Sequence, residues 1–152
     1  MKTTFVLDEN VFIQSHTCRD INSDGNNYSS LQLVISILDK CHNIGLSPAL
    51  ATLYWQKSKM LEETKKLNSI CARIWKDFLF RNDKHCYCDN QLNDLPDNVL
   101  HDRHIIEPAV FLSGILVTTD DKLKEKMKPW LKNHSSFLIL SPSDALDYLA
   151  SL

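Results

Sequence analysis

The fold of this chain is best predicted from residues 102–123, which read DRHIIEPAVFLSGILVTTDDKL. Apolar residues three and four positions apart predict a helix over residues 102–112, with Pro108 in its first turns or at a kink. Residues 114–118 (GILVT) are mostly apolar without alternation, which is typical of a strand covered on both faces. A lysine-rich helix is predicted over residues 119–131. A helix, a buried strand and a second helix in direct succession indicate an α/β fold.

The rest of the chain continues this alternation. Strands are predicted at residues 3–7 (TTFVL), 137–140 (FLIL) and, over a shorter run, 44–47. Apolar spacing or a Ser-Pro start signal predicts helices over residues 30–41, from Pro48 toward Phe80 with a break near Asn68, and from Pro142 through Leu149. Residues 83–100 are expected to form a loop or irregular structure. This order predicts a parallel sheet with right-handed crossover connections.

Length and composition narrow the class of protein. A chain of 152 residues, 43% hydrophobic and 24% charged, is expected to fold as one globular domain and not to be disordered. No apolar run approaches the roughly 20 residues of a membrane span, so no membrane partner is expected. The opening MKTTFVLDEN does not resemble a signal peptide, which predicts a cytoplasmic location. Five cysteines, an odd number, argue against a disulfide framework.

Basic residues are concentrated in two segments, although the formal net charge is −2. Residues 53–84 and 122–132 together carry 13 of the 17 lysines and arginines. Such segregation favours binding of a polyanion, and two solvated helix faces are the alternative. Trp55, Trp75 and Phe78 lie within the first segment, where aromatic side chains can stack on the bases of single-stranded nucleic acid or can belong to the core.

Acidic residues follow two of the predicted strands. Asp8 comes directly after the first strand, Asp120 follows residues 114–118, and Asp102 begins the helix that leads into that strand. In a parallel sheet these carboxylates would meet at one edge, where their repulsion calls for a compensating cation. Hard oxygen ligands suit Mg²⁺ or Mn²⁺. For each acid taken singly, the alternative is a helix N-cap.

Two blocks of sequence resemble the PIN-domain family of ribonucleases. They are residues 5–12 (FVLDENVF) and residues 102–123, and residues 46–50 with Tyr54 form a weaker third block. The resemblance covers nearly the whole chain. It implies a single PIN-like domain over residues 1–152, built as a three-layer α/β sandwich with a central parallel sheet of about four to five strands. It also implies cleavage of RNA that depends on Mg²⁺ or Mn²⁺.

The resemblance assigns roles to six residues. It implies that Asp8, Asp102 and Asp120 are catalytic metal ligands with Asp121 as a further ligand beside them, that Asn10 orients Asp8 by a hydrogen bond, and that Thr118 supports the end of its strand. Its implied partners are RNA, an antitoxin-like protein as in the toxins of this family, and a second copy of the chain.

The chain departs from the family at one acid. The family usually has a Glu near the aromatic residue of the helix after the second strand, but residues 51–55 (ATLYW) contain no carboxylate. Glu62 and Glu63 lie about 12 Å further along that helix, which leaves Glu9 or Asp121 to complete a site. The alternative function is therefore a catalytically impaired PIN-like module that binds RNA or a protein partner.

The sequence contains features of two other kinds of site. Cys86 and Cys88, followed by His101 and His104, approach the spacing of a Cys2His2 zinc site, and a loop with incidental thiols is the alternative. The two histidines can instead contact a phosphate. The acidic pair after the first strand is also found in receiver domains, but those require a Lys after the last strand, where this chain has Ser-Pro.

Overall fold

The computed structural model describes residues 1–17, 28–63, 69–134 and 136–152. One sheet contains the strands β1 (Thr4–Leu7), β2 (Asn43–Leu46), β3 (His85–Tyr87), β4 (Ile115–Val117) and β5 (Leu138–Leu140). The α-helices in these ranges are α1 (Glu9–Thr17), α2 (Ser29–Asp39), α3 (Pro48–Glu63), α4 (Ser69–Phe80), α5 (Arg103–Phe111), α6 (Asp121–Leu131) and α7 (Pro142–Ser151). Short 3-10 helices occupy Asn82–Lys84 and Asp97–Asp102. None of these helices has both the length and the apolarity to cross a bilayer.

The sheet is parallel throughout, in the order β3-β2-β1-β4-β5. In its central strand, Phe5, Val6 and Leu7 are all fully buried. Because successive residues of a strand point to opposite faces, both faces of the sheet must be covered by helices. The predicted α/β sandwich with a central parallel sheet is confirmed, and its five strands lie within the expected number.

The direction in which the sheet is built reverses at β1. The chain places β2 and then β3 on one side of β1, and returns to place β4 and β5 on the other side. In open parallel sheets, ligands bind outside the carboxyl ends of the strands at such a reversal. The residues that follow β1 and β4 are therefore the first candidates for a ligand-binding site.

Both Ser-Pro start signals form helix caps. The hydroxyl of Ser47 accepts the backbone N–H of Leu50 at 3.1 Å, at the start of α3. Ser141 accepts the N–H of Asp144 at 3.2 Å, at the start of α7. The predicted break near Asn68 falls in residues 64–68, which lie outside the described residues.

Pro108 lies inside α5, and the helix continues through it. Proline has no N–H, so it cannot donate to the carbonyl of His104, four residues earlier. That carbonyl instead accepts the Ser47 hydroxyl at 2.7 Å. One serine thus caps α3 and joins its first turn to α5.

Helix α5 ends in a left-handed residue that is not glycine. Ser113 has φ of 51°. The N–H of Gly114 reaches back to the carbonyl of Ala109 at 2.7 Å, which is the wide hydrogen bond of a Schellman motif. This turn reverses the chain from α5 into β4.

The prediction of loop or irregular structure over residues 83–100 is confirmed for residues 88–96 and is wrong for the residues on either side of them. The segment contains β3 and most of two 3-10 helices. Strand β3 has three residues, pairs only with β2 and keeps its side chains partly exposed, so it has no apolar run to reveal it. Lys84, counted above among the basic residues, is buried, and its ammonium group donates to the carbonyls of Ile37 and Lys40 at the end of α2.

Candidate functional site

Asp8 lies at the carboxyl end of β1 and is only 5% exposed. Its backbone N–H donates to the carbonyl of Val117 at 2.9 Å, which aligns the ends of β1 and β4. Thr118 Oγ1 donates to Asp8 Oδ2 at 2.7 Å. Burial is the main cause of a raised pKa for Asp8; the bond from Thr118 opposes the rise, and the charges of Glu9 and Asp102 add to it. Asp8 is thus a buried acid with carboxylate neighbours.

Asp102 ends the 3-10 helix that precedes α5. Burial raises its pKa; the nearby His101 and His104 oppose this, and the carboxylates of Asp120 and Glu9 add to it. The charges of Glu9 and Asp102 thus act on Asp8, and those of Asp120 and Glu9 act on Asp102. We call Asp8, Glu9, Asp102 and Asp120 the carboxylate cluster.

Asp120 has two structural roles. Its Oδ1 accepts the backbone N–H groups of Lys122 at 2.9 Å and Leu123 at 3.2 Å, so it is the N-cap of α6. Its own N–H donates to Thr118 Oγ1 at 3.0 Å. The Thr118 hydroxyl therefore connects Asp120 to Asp8, as the predicted support of the strand end requires.

Glu9, rather than Asp121, accompanies the predicted carboxylates. His104 Nε2 lies 3.3 Å from Glu9 Oε1, and His101 Nε2 lies 3.0 Å from Asp102 Oδ2. Asp121 is exposed in the first turn of α6. Of the two acids that the sequence left to replace the missing Glu, the structure brings Glu9 into the carboxylate cluster.

The hydrogen bond predicted from Asn10 to Asp8 is absent among the described residues. Asn10 is exposed in the first turn of α1. The side-chain bond to Asp8 comes from Thr118 instead. Asn10, two positions after Asp8, lies in α1 with its side chain exposed. Thr118, in contrast, is placed beside Asp8 because β1 pairs with β4.

Tyr54 supports the backbone beneath the carboxylate cluster. It is 1% exposed, and its hydroxyl donates to the carbonyl of Leu7, the residue before Asp8. Its ring is stacked on Phe12 at a centroid distance of 4.3 Å and meets Phe78 at 5.7 Å. The sequence places Tyr54 on the same buried helix face as Leu50. It does not identify Leu7 as the hydrogen-bond partner of Tyr54, because that contact depends on the fold.

All the donor atoms of the carboxylate cluster are oxygens, which hard divalent cations prefer as ligands. Within the described ranges, however, no three His, Cys, Asp or Glu side chains are positioned to hold one ion. The same finding removes support for the zinc alternative. Cys86 and Cys88 are free thiols, with Cys88 buried and its Sγ 3.5 Å from Asn90 Oδ1, and both histidines pair with acids.

Basic side chains lie next to the carboxylate cluster on α6. Lys122, Lys124 and Lys128 are exposed along the helix that Asp120 caps, with Lys128 paired to Glu125 at 2.8 Å. Unpaired lysines at the start of this helix can attract a phosphate backbone toward the carboxylates.

Comparison with protein-family models, with curated proteins and with solved structures found no match. The function is therefore inferred from the residues of the chain itself. Asp8 and Asp120 are joined through the Thr118 hydroxyl at the ends of β1 and β4, and Asp102 lies close enough for its charge to act on Asp8.

Proposed function

We propose that this protein is a metal-dependent ribonuclease of the PIN-domain type, in which Asp8, Asp102 and Asp120 are the catalytic carboxylates. One observation carries the proposal. A buried aspartate with a raised pKa lies among three other acids, at the strand ends where the sheet changes direction. Such a concentration of like charge lowers stability unless a cation compensates it, so it is typical of functional sites.

The same three aspartates, with Glu9, are the residues that would hold Mg²⁺ or Mn²⁺. When bound, such an ion supplies Lewis-acid activation of water and neutralises charge on a phosphodiester. Because the carboxylates are not drawn together on a common point, ion binding is expected to require movement of their side chains. No protein nucleophile is part of this proposal.

The chain's own groups position the substrate and the acids. Thr118 fixes the orientation of Asp8, and Tyr54 fixes the backbone before it. Lys122 and Lys124 attract the RNA backbone to the edge of the sheet. The proposal includes RNA as partner and a cytoplasmic location, and an antitoxin-like protein and a homodimer by analogy with PIN-domain toxins.

The test is cleavage of an end-labelled single-stranded RNA with Mn²⁺. We expect cleavage by the wild type, none in EDTA, and a loss of at least about 100-fold with Asp102→Asn, since changes to residues that merely support a metal ligand already cost about 10- to 100-fold. Asp97→Asn is the matched control, because Asp97 is exposed at the other end of the same 3-10 helix. Equal cleavage by wild type and Asp102→Asn would contradict the proposal.

The second candidate function is a catalytically impaired PIN-like module that binds RNA or a protein. Two observations favour it: residues 51–55 carry no acid, and the described acids do not form a ready-made ion site. RNA binding without cleavage by the wild type, at saturating Mn²⁺, would select this candidate over the ribonuclease.

A further inference from the structure

A groove with exposed aromatic walls lies beside the carboxylate cluster. Trp55 of α3, Phe80 of α4 and Tyr87 of β3 are 50%, 67% and 60% exposed. Together with the buried Tyr54 and Phe78, they line a cavity of about 210 Å³. We call this the aromatic groove. Three large aromatic side chains exposed around one cavity form an apolar surface of the kind that marks binding sites.

The size of the aromatic groove selects the kind of ligand. Pockets for drug-sized molecules run to about 300–1,000 Å³, so about 210 Å³ suits a single planar ring system. The rings of Trp55 and Phe80 meet edge to face at 5.6 Å, which leaves ring faces available to stack on a third ring.

Tyr54 connects the aromatic groove to the backbone that precedes the carboxylate cluster. Tyr54 lines the groove, while its hydroxyl bonds to the carbonyl next to Asp8. Tyr87 ends β3, which lies two strands from β1. At about 4.8 Å between strands, the ends of β3 and β1 are roughly 10 Å apart along the sheet edge.

Exposed lysines accompany the aromatic side chains. Lys59 lies four residues after Trp55 on α3, and Lys76 lies four residues before Phe80 on α4, so each shares a helix face with its aromatic neighbour. Acids are also present: Glu62, Glu63 and Asp77 are exposed on the same helices. Lysine beside an exposed ring is the combination with which proteins hold a phosphate backbone while a base stacks.

We propose that the aromatic groove binds an unpaired base of RNA, next to the phosphate that lies at the carboxylate cluster. This inference rests on the proposed function and makes its substrate single-stranded, because a base in a duplex cannot enter the groove. Each stacking residue should raise the affinity for RNA by a factor of about 5 to 150, which is the loss found when residues that stack on bases are replaced by alanine.

The test is fluorescence anisotropy of a labelled single-stranded RNA of about eight nucleotides, in EDTA so that binding is measured without cleavage. We expect Trp55→Ala and Phe80→Ala each to weaken binding by about 5- to 150-fold and Trp55→Phe to retain most of it. Phe111→Ala is the matched control, because Phe111 is 42% exposed at the end of α5 and does not line the groove. An RNA with abasic sites should bind the wild type as weakly as intact RNA binds Trp55→Ala.

Several results would overturn the proposal: no binding by the wild type, unchanged affinity in Trp55→Ala and Phe80→Ala, or duplex RNA bound as tightly as single-stranded RNA. Unchanged affinity would leave a protein as the occupant of the groove. Failure of the ribonuclease proposal is distinguishable, since it shows as absent cleavage in Mn²⁺ while RNA binding remains sensitive to Trp55 and Phe80.

Discussion

Thr118 donates a hydrogen bond to Asp8 and accepts one from the backbone of Asp120, so one hydroxyl joins two acids from distant parts of the chain. Thr118→Val removes both bonds with little change in shape. We expect the free energy of unfolding to fall by about 1.5–3 kcal/mol, the range for a hydrogen bond to a charged group. Urea denaturation measures this. Thr118→Ser keeps the hydroxyl and should retain most of the stability; an equal loss in both variants would assign the effect to the methyl group.

The charge of Asp8 predicts a pH dependence of stability. Burial raises its pKa in the folded state, so as pH falls the native state takes up this proton before the unfolded chain does. The ionised side chain therefore lowers stability at neutral pH, and acidification through the raised pKa removes that penalty. In EDTA, Asp8→Asn should be more stable than the wild type at neutral pH, with the gap closing toward acid.

Urea melts of the two proteins across the acid range measure that gap. A gap that widens on acidification, or an Asp8→Asn variant less stable than the wild type at neutral pH, would contradict the assignment of Asp8 as a buried, destabilising charge.

At the scale of elements, replacing the serine at each of the two Ser-Pro helix starts should lower the free energy of unfolding by different amounts. Ser141→Ala removes one cap bond and should cost about 1 kcal/mol. Ser47→Ala removes the cap of α3 and also leaves the carbonyl of His104 without its donor, so its loss should reach about 2–4 kcal/mol. The comparison is made by thermal and urea denaturation. Equal losses would mean that water replaces Ser47 at that carbonyl.

The end of α5 offers a stabilising change. Ser113 is exposed and left-handed, a conformation that costs a residue with a Cβ about 1 kcal/mol. Ser113→Gly should therefore raise the free energy of unfolding by up to about 1 kcal/mol. Ser143→Gly, in the first turn of α7 with ordinary helical geometry, is the opposite control and should lower it. A lower stability of Ser113→Gly would show that the serine makes an interaction in the folded state.

Strong local signals allowed the sequence to predict most elements of this fold. Continuous apolar runs identified β1 and β4, and Ser-Pro identified the starts of α3 and α7. Strand β3 was missed because an edge strand of three residues needs little apolar sequence. In the site, Asp8 and Asp120 follow strands and were found by position, whereas the bonds from Thr118 and Tyr54 depend on pairings across 110 and 47 residues. Such long-range contacts produce no periodic pattern in the sequence.

For the whole molecule, binding of the ion should raise the free energy of unfolding. A ligand that binds only the native state at about 100 times its dissociation constant adds about 2.7 kcal/mol, which for a chain of this size raises the melting temperature by roughly 5–10 °C. We expect Mn²⁺ to produce such a shift in the wild type and in Asp97→Asn, and little or none in Asp102→Asn. Differential scanning fluorimetry provides the measurement. No shift in the wild type at any Mn²⁺ concentration would support the impaired module.

The reversal of strand order at β1 has a consequence for protein synthesis. Asp8 is synthesised 110 residues before its hydrogen-bond partner Thr118, and β4 must insert beside β1 before the two meet. A partial chain ending before residue 118 can place β2 and β3 next to β1, yet it lacks the far side of the carboxylate cluster. Any activity that needs Asp8 and Asp120 together is therefore withheld from the nascent chain, and from the messenger RNA beside it, until residues 118–120 have been translated.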